Sequence, residues 1–277
     1  MKPISLSGIS RAKTSEEIGE YCDTHSLDAH WDETREVEFE VRAKRPQSIW
    51  RTGFTKVKDP GYWVYENVFS EPECRYIIQC LSDSGIKRSR AGARNLMANP
   101  TISSLAKDKR LLRLAKSISG KEMVPYKATL FEKRATANWL VTFHQDTALP
   151  LETATNLEGW GPSSKKEGIT FVHAPTWALK QILAIRIHLD ASTATNGPLR
   201  VIPNSHHKRF KTDDEFVRDW EANEEVECLV GHGGVTAMSP LILHASSKAS
   251  TNDPRRVVHI EYAQSLDLGE GIRLAIA

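Results

Sequence analysis

Eight short β-type runs fill the second half of this chain: 127–133, 139–144, 181–189, 199–202, 226–230, 235–238, 242–244 and 257–262. Turn residues stand between most of them, in Asn196-Gly197-Pro198, Pro203-Asn204, Gly231-His232-Gly233-Gly234 and Asn252-Asp253-Pro254. Many short strands punctuated in this way argue for a β-sandwich or barrel. Two helical patterns precede them. Ser70-Glu71-Pro72-Glu73 offers a hydroxyl N-cap, proline in the first turn and glutamate at N3. Tyr76, Ile77, Cys80 and Leu81 then recur at helical spacing until Gly85. Residues 102–118 give a second helix, with Leu105, Leu112, Leu114 and Ile118, ended by Gly120. The expectation is an α+β, mainly β chain: a double-stranded β-helix (jelly roll, cupin-like) with N-terminal helices packed on it.

The 277 residues suffice to bury a core without disulfides or a structural metal. With 40% hydrophobic and 26% charged residues the chain reads as soluble and globular, which excludes a disordered tail, a collagen and a coiled coil. No apolar run approaches the ~20 residues of a membrane span, and Met1-Lys2-Pro3-Ile4-Ser5 lacks the apolar stretch of a signal peptide. A net charge of +2 gives little reason to expect nucleic acid or a membrane surface as partner. Cys22, Cys74, Cys80 and Cys228 form no C-x-x-C pair, so free thiols in a reducing cytoplasm are expected.

Residues 1–50 differ in texture and read as an N-terminal extension to a main domain over 51–277, whose recognisable part begins near Tyr62. Thr14 to Tyr21 suits a short capped helix, and Val37-Glu38-Phe39-Glu40-Val41 a half-exposed strand, broken by Lys44-Arg45-Pro46. The segment 14–41 resembles the N-terminal stretch of ribbon-helix-helix-type antitoxins over about thirty residues.

Three features carry chemistry. In Phe143-His144-Gln145-Asp146, strand alternation puts His144 and Asp146 on one face, about 6–7 Å apart along the backbone. His244 follows about a hundred residues later, and Arg255-Arg256 eleven and twelve positions after it. Two histidines and a carboxylate on adjoining strands suit Fe(II), leaving three cis positions for a chelating cosubstrate and oxygen. A 2-oxo acid fills two of them, and an arginine fits its far carboxylate with a planar, two-pronged donor set.

On these residues the chain resembles the phytanoyl-CoA dioxygenase (PhyH)-like branch of the iron(II)/2-oxoglutarate oxygenases. The similarity runs from about Gly61 to Ala263. Its motifs are Leu130-Phe131-Glu132-Lys133 through Asn138-Trp139 to His144-Gln145-Asp146; Ala184-Ile185-Arg186-Ile187-His188-Leu189-Asp190; Asn196-Gly197-Pro198 through Pro203-Asn204-Ser205-His206; and Leu243-His244-Ala245-Ser246 through Pro254-Arg255-Arg256. The family's Pro-Gly-Ser-His is Pro-Asn-Ser-His here.

The resemblance implies His144, Asp146 and His244 as iron ligands and Arg255 as partner of the 2-oxoglutarate C5 carboxylate. Ser246 matches a hydroxyl that contacts the same cosubstrate. Arg186 falls where relatives place a Trp or Ser beside it, and Lys127 would point inward alongside Thr129 and Phe131. Trp160, in the variable stretch 147–178, would wall the substrate pocket. Family halogenases lack the carboxylate, so Asp146 implies hydroxylation or a related oxidation, coupled to decarboxylation of 2-oxoglutarate to succinate, with O2 as the other cosubstrate. Alternation sends Arg256 to the opposite face from Arg255.

The basic stretch 87–121 reads as a solvated helix face or as a surface steering an anionic small-molecule substrate. Arg94 is its member of interest, in a Gly-x-Arg-Asn-Leu run that related bacterial sequences share. His206-His207 are adjacent and unsuited to joint ligation, and His173, His188, His232 and His259 lack partners at useful spacing. A catalytically idle binding or regulatory protein is the alternative function, and an intact triad with Arg255 speaks against it. A zinc enzyme with the same three ligands would have no use for Arg255.

Overall fold

The computed structural model describes residues 59–277, apart from 90, 135, 211–214, 216, 217 and 219–222. The antitoxin-like segment and the whole extension 1–50 therefore lie outside the described residues. Among the described residues fifteen strands and four helices follow in chain order. They are β1 (Tyr62–Tyr65), α1 (Glu71–Asp83), β2 (Gly92–Ala93), α2 (Pro100–Ala106), α3 (Lys109–Ser119), β3 (Val124–Lys133), β4 (Val141–His144) and β5 (Ala148–Leu151). Then come β6 (Ser163–Lys166), β7 (Ile169–His173), α4 (Thr176–Leu179), β8 (Ile182–His188), β9 (Leu199–Ile202), β10 (Val226–Cys228) and β11 (Val235–Met238). The last four are β12 (Leu243–Ser246), β13 (Arg255–Ala263), β14 (Asp267–Gly269) and β15 (Ile272–Arg273).

A six-stranded sheet, ordered β1-β11-β8-β13-β3-β2, faces a four-stranded sheet, β10-β9-β12-β4. Every pairing in both is antiparallel. This is the expected jelly roll. Period-2 alternation divides each strand of the large sheet between two environments. Leu183, Ile185, Ile187, Val258, Ile260, Ala128 and Leu130 point outward and are buried against the helices. Each such aliphatic side chain contributes about 1.5–3 kcal/mol by leaving water. The Tyr262 hydroxyl donates to Ala106 O across this layer at 2.9 Å. The alternate residues, Lys133, Phe131, Thr129 and Lys127 on β3 with Arg255, Val257, His259 and Glu261 on β13, are register partners on the inward face. One flank of the space between the sheets is closed by apolar residues, Ala184 and Met238 against Leu199, Val201, Cys228 and Ile242.

The α1 start is as the sequence requires: Ser70 Oγ accepts from Glu73 N and the Glu73 carboxylate accepts from Ser70 N at 2.7 Å. Its buried stripe is Cys74, Ile77 and Leu81, whereas Tyr76 is 70% exposed. Residues 102–118, expected as one helix, are two. Asp108 caps α3 by accepting from Arg110 N at 2.8 Å, which breaks the chain direction after α2. Gly120, at φ +72°, ends α3 as expected. The variable stretch 147–178 holds a small sheet, β5-β7-β6, that the sequence did not announce. Cys74, Cys80 and Cys228 are free thiols. No helix of the described residues is long and apolar enough to cross a membrane.

Candidate metal centre

His144 closes β4 and is the register partner of His244 on β12. Asp146 lies two residues past β4's end, fixed by its own N–H donating to Pro240 O at 2.9 Å. Between them Gln145 turns away and latches the loop: its amide donates to Leu241 O at 2.5 Å and accepts from Phe210 N at 2.9 Å. The two ligand-type side chains thus share one face, as alternation demands. One ligand atom from each of His144, Asp146 and His244 lies within 4.8 Å of the others. Among the described residues these three form the one cluster of His, Cys, Asp or Glu with such spacing.

Both imidazoles are oriented by their own strands. His144 Nδ1 meets Thr142 O and His244 Nδ1 meets Ile242 O, each at 2.9 Å. A carbonyl only accepts, so each Nδ1 carries the proton and each Nε2 is turned to Asp146, at 3.6 Å and 3.5 Å. A metal-binding histidine needs this arrangement, with one nitrogen held by a backbone acceptor and the other presented to the ion. Burial and the neighbouring His144 push His244 down to about 3. Burial would also lower His144, but the Asp146 carboxylate outweighs it and holds His144 above the usual histidine value. The same histidines keep Asp146 well below the carboxylate range against the effect of burial. The His144 and Asp146 side chains remain 39% and 38% exposed while His244 is 7% exposed, so the centre is open on the His144–Asp146 side.

At the start of β13 lies a second group. Arg255, 2% exposed, donates from Nε to Asn196 O at 3.2 Å and from Nη2 to Ser246 Oγ at 3.4 Å. Its Nη1 is buried with no hydrogen-bond partner. A buried guanidinium with an unused donor costs free energy until an anion meets it. Lys133, the register partner of Arg255, donates to Ser246 Oγ at 2.8 Å and to Ser247 O. Ser246 in turn donates to Gly197 O at 2.8 Å. Gly197 sits at φ +71° in the Asn-Gly-Pro turn, where a Cβ would stand 2.3 Å from Ser247 O and 2.8 Å from Lys133 Nζ. Only glycine therefore fits. Burial and the guanidiniums of Arg255, Arg186 and Arg200 push Lys133 down to about 6. Burial and Arg186 likewise push Arg255 down to about 9. Two buried basic side chains without a counter-charge could receive an anionic group.

The remaining expected residues separate. Arg186, 7% exposed, is the register partner of His259 and lies inside the barrel, with Nε unpaired. Arg256 points to the outer face and grips Asp190 with two donors at 2.6 and 2.7 Å, which bears out the parity of the Arg-Arg pair. Lys127 faces inward as expected, but it stands six residues along β3 from Lys133 and is paired with Glu261 at 2.7 Å. The lysine beside Arg255 is Lys133, which the sequence marked only as the end of a motif. Trp160 is half-buried, stacks edge-on to Trp177 with centroids 6.1 Å apart, and belongs to the wall over β5 and β7. Arg94 is exposed at the end of β2, its charge felt at Lys127. Other members of the basic stretch have structural partners: Arg88 pairs with Glu132 at 2.8 Å, Arg110 with Asp108 and Glu73, and Lys116 with Glu122. His206 and His207 lie in a short 3-10 turn, with His206 Nε2 3.4 Å from Asp59, and are not a ligand pair. His188 is a satisfied core histidine, bonded to Ser192 and Thr236 at 2.8 and 3.0 Å.

The family model described as Phytanoyl-CoA dioxygenase (PhyH) matches residues 57–257. No curated protein matches the chain by sequence. Solved structures of the same fold include the non-heme alpha ketoglutarate dependent carbocyclase SnoK from nogalamycin biosynthesis, 16% identical over 79% of this chain and 83% of that one, with a TM-score of 0.57. EctD from S. alaskensis is 19% identical over 74% and 73%, with a TM-score of 0.56. HygX from Streptomyces hygroscopicus, solved with nickel and 2-oxoglutarate bound, is 16% identical over 74% and 83%, with a TM-score of 0.51.

Proposed function

The chain belongs to the phytanoyl-CoA dioxygenase (PhyH) family, and on that premise we propose that it is an iron(II)- and 2-oxoglutarate-dependent oxygenase acting on a small molecule. The observation that carries this reading is the pairing of two features inside one barrel. A two-histidine, one-carboxylate cluster stands open on one side, and a buried arginine with an unused donor stands at the end of β13. A zinc hydrolase would need the first and not the second.

The residues present fit both groups. His144 Nε2, His244 Nε2 and an Asp146 oxygen would hold iron(II), each as a deprotonated ligand atom. Arg255, Lys133 and Ser246 would receive the C5 carboxylate of 2-oxoglutarate, the far end of the cosubstrate from the metal. Iron(II), when bound, supplies the one-electron chemistry by which dioxygen converts 2-oxoglutarate to succinate and carbon dioxide and oxidises a substrate C–H bond. The protein's part is to orient and to exclude water. Thr142 O and Ile242 O fix the imidazole tautomers, Gly197 lets the anion seat close, and the Trp160 side of the barrel walls the substrate. Three protein ligands would leave positions on iron(II) for the cosubstrate and oxygen. The presence of Asp146 favours oxygen insertion over halogenation.

Iron(II) binding under anaerobic conditions tests the ligand assignment. His144→Ala, Asp146→Ala and His244→Ala should each weaken binding by orders of magnitude without loss of fold. Retention of tight binding in His244→Ala would refute the centre.

A further inference from the structure

Arg186 is the third buried cation of the barrel interior, and its orientation is set by residues with no role in the account so far. Its Nη1 lies 3.2 Å from His259 Nδ1. A guanidinium can only donate, so His259 Nδ1 accepts, and the ring proton is on Nε2. That Nε2 stands 3.4 Å from Glu261 Oε1. Glu261 is itself pinned from two sides, by Lys127 Nζ at 2.7 Å and by the Tyr126 hydroxyl at 2.7 Å. Consecutive residues of a strand point to opposite faces, but a bulge opposite Glu261 and Tyr262 lets Tyr126 and Lys127 both reach this carboxylate. Lys127 holds Glu261 at about 2 against the effect of burial, so the carboxylate is ionised. The His259 ring is also fixed edge-on to Phe131, at 5.8 Å and 80°, and Arg186 lies over the same Phe131 ring at 5.3 Å.

Held in this way, Arg186 spends one donor on His259 and leaves Nε unpaired. The Asp146 carboxylate acts on its charge, and its charge acts in turn on Arg255 and Lys133. By register Arg186 stands opposite His259, four residues along β13 from Arg255 and on the same inward face. We propose that His259 and Glu261 form a positioning relay for Arg186, and that Arg186 so held binds the metal-proximal carboxylate of 2-oxoglutarate. This rests on the oxygenase reading above. It gives the cosubstrate two arginines with separate duties, Arg255 for the far carboxylate and Arg186 for the near one. His259 and Glu261 touch neither the metal nor the cosubstrate.

The separate duties supply the test. 2-Oxoglutarate and 2-oxopentanoate, its analogue without the far carboxylate, are titrated anaerobically onto the full-length iron(II)-loaded protein. Binding is read from the visible charge-transfer absorbance of a chelated 2-oxo acid. His259→Phe, which cannot accept from Arg186, should weaken both acids by about tenfold, the range typical of residues that orient a ligand-binding group. His259→Gln, whose amide can accept from Arg186 and donate to Glu261, should restore most of that loss. Glu261→Gln keeps the volume and should weaken both acids by a smaller factor, so the test does not hang on one aromatic replacement. Arg255→Ala should weaken 2-oxoglutarate alone. Iron(II) affinity should be the same in all four variants. The relay is overturned if His259→Phe and Glu261→Gln bind both acids as the unchanged protein does, or if they lose 2-oxoglutarate and spare 2-oxopentanoate. Absence of the absorbance band in the unchanged protein would instead overturn the oxygenase reading, and the relay with it.

Discussion

Arg255 and Lys133 face each other across β13 and β3, and their side chains meet on a single hydroxyl, Ser246 Oγ, at 3.4 and 2.8 Å. Two basic side chains buried together, 2% and 1% exposed, with no carboxylate between them do not serve stability. On the proposed oxygenase function the pair would receive the 2-oxoglutarate carboxylate, and its cost in the unliganded protein gives that proposal measurable consequences.

The first concerns pH. Burial and the neighbouring guanidiniums push Lys133 from the ordinary lysine value of 10.5 down to about 6 in the folded protein. Between those values the unfolded chain holds a proton that the folded one lacks, so this group's contribution makes stability rise with pH across that window. It is most unfavourable below about pH 6. A carboxylate arriving beside Lys133 reverses the shift, so 2-oxoglutarate binding near neutral pH should take up a proton. Calorimetry in two buffers of different ionisation enthalpy measures that uptake. Lys133→Met should abolish it and should stabilise the unliganded protein. Binding without proton uptake in the unchanged protein would contradict the assignment.

Arg255 and Arg256 differ by one position and should differ in kind. Arg255→Ala removes a buried bidentate partner, worth about 3–5 kcal/mol, and should raise the 2-oxoglutarate requirement by orders of magnitude. Arg256→Ala loses the half-exposed pair with Asp190 and should cost on the order of 1 kcal/mol of stability with little change in the requirement. The reverse outcome would mean that β13 presents its other face.

Gly197→Ala places a Cβ against Ser247 O and Lys133 at a backbone angle that disfavours side chains. A loss of about 1–3 kcal/mol in unfolding free energy is expected, together with weaker 2-oxoglutarate binding, because the turn carries Asn196 O and Gly197 O. Unchanged 2-oxoglutarate affinity would separate this turn from the anion seat.

Much of this arrangement was legible in the sequence, because its signals are local or periodic. Alternation placed His144 with Asp146 and separated Arg255 from Arg256, and Ser70-Glu71-Pro72-Glu73 named its own helix. Two misses have local causes. Asp108 is the cap that divides residues 102–118, a single acid whose signal the apolar spacing around it overrides. Ser163-Ser164-Lys165-Lys166 lacks the β-branched residues that mark a strand, so β6 and its sheet went unseen. Lys133, His259 and Glu261 were not legible for a different reason. Each is polar on a strand, which reads as a solvated face, and only the register of β13 against β3 and β8 turns them inward to one another.

Residues 1–50 stand outside the matched region, and we expect them to be dispensable for the chemistry. A chain beginning at Thr52 should fold, bind iron(II) and decarboxylate 2-oxoglutarate. Failure to fold would show that the extension, Phe39 and Val41 above all, completes the main domain.

The most direct test of the central claim is succinate formation from 2-oxoglutarate in air, followed with and without iron(II), in the unchanged protein and in His244→Ala. The account predicts succinate only when iron(II) is present, at a slow uncoupled rate without substrate, and none from His244→Ala. Succinate formed equally by His244→Ala, or none formed by the iron-loaded protein that also fails to chelate 2-oxoglutarate, would contradict it.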